Sequence, residues 1–160
     1  MVRWLKKVGH IFCVPAALLG QGLVFHVVFL LWTSGGYMPM PARVLLSLAL
    51  TLLGMCLLRR APMRTLLLSS GVACLIALAA SVIPLVSAGS TVLSAVYQLL
   101  RFFIMVPNNL VFPITAALTQ SPSQTLALIF TAIEILFPLV YVFSGLFVRL
   151  GVSLRKNTGC

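Results

Sequence analysis

One acidic residue, Glu134, stands against eleven Lys and Arg in 160 residues, and charged residues of all kinds make up 8% of the chain. Reactions that need two carboxylates in one chain, such as two-metal phosphotransfer or aspartyl-type proteolysis, therefore have no residues to run on. The phosphate loop, H-E-x-x-H and C-x-x-C-H patterns are missing, and no G-x-S-x-G surrounds any serine. The four cysteines, Cys13, Cys56, Cys74 and Cys160, show no C-x-x-C spacing, so a disulfide framework or a cysteine metal site is not expected. The expectation from these absences is a protein that is not an enzyme and holds no cofactor or metal.

What the chain has in abundance is apolar side chain, 61% of its residues. A domain of this length leaves a large share of its surface exposed, so lipid must solvate most of these residues. Four runs free of Lys, Arg and Asp, at 11–32, 44–58, 65–86 and 126–148, approach the roughly 20 helical residues that a bilayer core requires. The second run is the shortest and reaches only ~22 Å, so it must borrow Pro41, Ala42 and a snorkelling Arg43. No internal repeat or linker divides the chain, and residues 1–160 read as a single integral membrane domain.

The net charge of +10 would suggest nucleic acid in a soluble protein, but the cations sit in clusters at the ends of the apolar runs. Clusters so placed indicate topology and contact with the lipid bilayer, and nucleic acid is not an expected partner. With Arg3, Lys6 and Lys7 on the cytoplasmic side, the first run exits, the second returns to Arg59, Arg60 and Arg64, and the third exits again. The last run should end inside at Arg149, Arg155 and Lys156, so both termini are cytoplasmic.

That threading requires residues 88–120 to begin and end on one side. The sequence there predicts a re-entrant hairpin: a helix over 90–106, a break at Pro107, Asn108 and Asn109, and a return past Pro113. Counting cations favours this reading, because it places nine of the eleven inside, whereas a fifth span over 102–119 places six inside. A hairpin that crosses twice would keep the same sides. The expected fold is all-α: a polytopic integral membrane helical bundle of four transmembrane helices plus a Pro/Asn-broken re-entrant hairpin.

Helical spacing also predicts faces. Ser47, Thr51 and Gly54 on the second span, and Ser70, Cys74, Ala77, Ser81 and Pro84 on the third, form small-residue seams suited to close packing. Gly22 shares a face with His26 and gives room for a neighbouring helix. Thr131, Glu134 and Tyr141 fall on one side of the last span, and Ser94, Gln98 and Arg101 form a stripe in the hairpin.

Counted from the helix ends, Glu134 lies ~12 Å deep, Arg101 ~15 Å and His26 ~9 Å. An unpaired charge near mid-membrane costs at least ~2.5 to 3.5 kcal/mol, so Glu134 is expected to bond Arg101 directly, with His26 as a third member. The candidate intramembrane polar site is thus Glu134, Arg101, His26, Gln98, Thr131 and Tyr141.

Short loops leave no soluble domain to do chemistry. The expected function is a non-enzymatic protein acting through contacts in the bilayer, as an accessory subunit, assembly factor or immunity-type protein. Its partner would be another membrane protein or further copies of itself. The alternative is a small proton- or ion-coupled transporter or channel subunit that uses Glu134. A bacterial cytoplasmic (inner) membrane is the expected location.

Overall fold

The computed structural model describes residues 11–33, 35–86, 91–118 and 124–157. Among the described residues the chain forms six helices: α1 Cys13–Thr33, α2 Met40–Leu58, α3 Met63–Val86, α4 Thr91–Leu118, α5 Gln124–Leu136 and α6 Leu139–Asn157. The cations Arg3, Lys6 and Lys7 lie outside the described residues.

Four helices are long and apolar enough to cross a bilayer, over Cys13–Thr33, Met40–Leu58, Met63–Pro84 and Thr91–Val111. The arms Leu128–Leu136 and Leu139–Arg149 are bent by 50° and together pass the same test, as a broken span or a re-entrant loop. Their surfaces agree with a lipid environment: Leu31 and Leu57 are each 71% exposed and Phe147 is 74% exposed. So much exposed apolar area would drive aggregation in water. The architecture is therefore the expected one, an all-helical membrane bundle of four long apolar helices plus one broken element.

The broken element lies elsewhere than expected. The sequence predicts a break at Pro107, Asn108 and Asn109, but Thr91–Leu118 is one helix of 28 residues that continues through positions 107 and 113. A proline inside a helix removes its own N–H and strips the carbonyl four residues earlier of its donor. Within a bundle, neighbours and side chains make up the loss. The carbonyl that Pro107 leaves without its helical donor is that of Phe103; nearby, Asn109 Nδ2 donates to the Met105 carbonyl at 2.7 Å, so the asparagine bonds within its own helix. Pro107 is fully buried, and Val106 packs with Phe25 of α1 and Leu50 of α2.

The last predicted span, 126–148, is the one that breaks. Phe137 and Pro138 form a turn between α5 and α6, with Val140 N–H donating to the Phe137 carbonyl (2.9 Å) and Tyr141 N–H to that of Pro138 (3.3 Å). The Pro138 carbonyl also accepts from Ser70 Oγ of α3 at 3.0 Å. The adjacent Ser69 has a second structural role. Its Oγ accepts the Val14 N–H at 2.8 Å, satisfying from another helix a donor that the first turn of α1 leaves open.

α2 begins at Met40, four residues before the predicted start. Pro39 is its N-cap and Pro41 lies in its first turn, where a missing N–H does no harm. The added turn lengthens the helix to 19 residues, ~28 Å. Arg43 snorkels as expected: its guanidinium carbon lies 5.1 Å from the Phe29 ring centre and 5.0 Å from that of Tyr37, and its Nε donates to the Met38 carbonyl at 3.1 Å.

The seam of the second span holds, with Ser47, Thr51 and Gly54 buried; that of the third holds in part, with Ser70 and Ala77 buried, Cys74 and Ser81 half-buried and Pro84 exposed. At Gly22 the backbone of Phe102 comes so close that an added Cβ would lie 2.8 Å from the Phe102 carbonyl carbon, which brings α1 and α4 into direct backbone contact.

Candidate functional site

The polar groups inside this bundle fall into separate places. The first is a cavity of about 300 Å³ between α1 and α4, lined by His26 of α1 and by Tyr97, Arg101, Asn108 and Asn109 of α4. Arg101 and His26 thus line one cavity. The rings of His26 and Phe102 meet edge to face at 5.4 Å, and the Arg101 guanidinium lies 5.9 Å from the Phe102 ring centre. Two buried nitrogens here, Arg101 Nε and His26 Nδ1, have no hydrogen-bond partner.

Glu134 does not join them. It is half-buried on α5 and does not line the cavity, and among the described residues no ion pair links it to Arg101. The expected pair assumed a hairpin docked on a straight last helix. Instead α4 is one continuous helix that places Arg101 beside α1, and the last span is broken into α5 and α6, bent by 50°. Thr131 is half-buried on α5, away from the cavity lining, and Gln98 is exposed on α4.

Tyr141 belongs to a second polar contact. It is fully buried, and its hydroxyl donates to Gln21 Oε1 at 2.7 Å, tying α6 to α1. Gly54 of α2 makes room for both groups: an added Cβ would meet the Gln21 amide and lie 2.9 Å from the Tyr141 ring. The other end of that amide, Gln21 Nε2, is buried without a partner.

Sequence reasoning missed Gln21, Tyr97, Asn108 and Asn109. Gln21 carried a usable signal, being an amide in the middle of an apolar run. The asparagines were hidden by the expected break. The stripe Ser94, Gln98, Arg101 advances by four and three, and one continuous helix extends it by four and three again to Met105 and Asn108.

Comparison with known protein families, with curated proteins and with solved structures finds no match. The fold itself defines the class: a small polytopic helical membrane protein.

Proposed function

We propose that this protein is a non-enzymatic binding partner within the bilayer, an accessory subunit, assembly factor or immunity-type protein that docks against another membrane protein. The observation that carries this reading is Glu134. It is the chain's only acidic side chain, it lies in an apolar helix, and among the described residues its carboxylate makes no hydrogen bond or ion pair. A charge so placed needs a donor, and a partner helix is the natural source. Ile129, Ile133 and Leu136, on the same helix, are exposed apolar residues that such a partner would cover.

Charge supports an orientation with both termini cytoplasmic. Arg149 donates to the Ala61 carbonyl at 3.3 Å, so the basic end of α6 sits beside the α2–α3 turn, which carries Arg59 and Arg60 and is followed by Arg64 in the first turn of α3. Two basic clusters on one side fit the cytoplasmic face, here taken to be that of a bacterial inner membrane.

Site-specific photocrosslinking tests the proposal in membranes. A probe at Ile133 should give one discrete protein adduct that Glu134→Ala abolishes, while a probe at Leu75, exposed on α3, should give none. Lipid adducts alone at Ile133 would overturn the reading. Proton- or ion-coupled flux in liposomes that Glu134→Gln abolishes would replace it with the transporter alternative.

A further inference from the structure

The cavity between α1 and α4 carries positive charge and, among its lining residues, no negative charge. Arg101 is permanently cationic, and the lone carboxylate of the chain is elsewhere. Its Nε and the Nδ1 of His26 are buried without partners, a state that costs several kcal/mol per group in hydrocarbon. Because the Arg101 guanidinium lines the cavity with no anion among the other lining residues, the site calls for an acceptor from outside the chain. The rest of the wall is apolar, formed by Phe29, Ile104 and Met105, and at the rim Asn108 is exposed. His26 and Arg101 lie seven and ten residues from the ends of their helices, ~10 and ~15 Å, which is below the level of lipid headgroups. A ligand held at that depth gains from an apolar tail.

We propose that this cavity binds one anionic amphiphile, an oxyanion head of the phosphate or carboxylate type carried on an acyl chain. Arg101 holds the oxyanion through its planar fork of donors, His26 and Asn108 complete the polar shell, and the chain runs along Phe29 and Met105. The cavity does not include Glu134, so this site stands or falls independently of the protein docking proposed above.

The test is native mass spectrometry on the full chain in a neutral detergent, with three probes: dioleoylphosphatidylglycerol, dioleoylphosphatidylcholine and inorganic phosphate. The expected result is one tightly bound phosphatidylglycerol, favoured at least about tenfold over phosphatidylcholine, with no retention of phosphate alone. Arg101→Gln should lower that affinity about 10- to 100-fold, as loss of charged hydrogen bonds does. Asn108→Trp keeps the charge and an exposed position, and should lower binding by filling the mouth. Arg59→Gln, at an exposed site in the α2–α3 loop, should change nothing. Helical circular dichroism and an unchanged melting temperature identify the variants that fold. Equal binding of the two lipids, a preference that survives both Arg101→Gln and Asn108→Trp, or phosphate bound as well as the lipid would each overturn the proposal.

Discussion

Pro107 and Pro138 are both fully buried and both sit in apolar helical sequence, yet the helix continues through one and breaks at the other, where its two arms are bent by 50°. Each proline removes one backbone donor, so the local chemistry is the same. Their neighbours differ. At Pro107 the helix is pressed along its length against α1, where Gly22 admits the backbone of Phe102, and against Leu50 of α2. At Pro138 the contacts hold the two arms apart: Ser70 takes the Pro138 carbonyl, and Tyr141, three residues on, is anchored to Gln21. A proline permits a bend, and contacts from other helices determine whether it occurs.

The largest expected effect comes from breaking the backbone contact between α1 and α4. Gly22→Val would drive a side chain into the Phe102 backbone, which cannot rotate aside, and should destabilise the bundle by about 3 kcal/mol or more. Reversible unfolding in mixed micelles reads this directly, and a loss under about 1 kcal/mol would mean that α1 and α4 do not meet there.

Tyr141→Phe should rank next. It removes the bond to Gln21 and leaves the buried amide with neither end satisfied, at about 1 to 2 kcal/mol by the same measurement. Gln21→Leu on that background should add little further loss, because the two side chains act as one unit.

A geometric prediction sharpens the comparison. Spin labels at Leu128 and Phe147, both exposed on the two arms, should move apart by several Å in Pro138→Ala as the bend relaxes, and their distance distribution should broaden in Ser70→Ala. Pro107→Ala should leave the distance between labels at Val96 and Asn108 unchanged. A shift there as large as at Pro138 would remove the distinction between the two sites. The smallest effect is expected for Asn109→Leu, about 0.5 to 1 kcal/mol, since the helix around Met105 is held by packing as well as by the amide.

Much of the packing was legible in advance. The seams at Ser47, Thr51, Gly54, Ser70 and Ala77 are buried, and Gly22 meets a neighbouring backbone. Small residues at helical spacing in an apolar run have few other uses. Arg101 and His26 were also legible as candidate polar groups, each being an ionisable residue in an apolar run. The expected ion pair was not, since depth alone does not say which way a side chain at that depth points. Glu134 lies on α5, which contributes no residue to the lining of the α1–α4 cavity.

The sequence by itself determined that this chain lives in lipid, that it crosses in short-looped helices with cations gathered at their ends, and which faces are small enough to pack. These follow from hydropathy, charge and spacing, quantities that add up along one helix. Only the tertiary structure decided which proline bends, that Tyr141 finds Gln21, and that Arg101 faces an anion-free cavity while Glu134 stands apart. Each of these depends on whether an atom from a distant part of the chain lies within hydrogen-bond reach, and no local pattern encodes that.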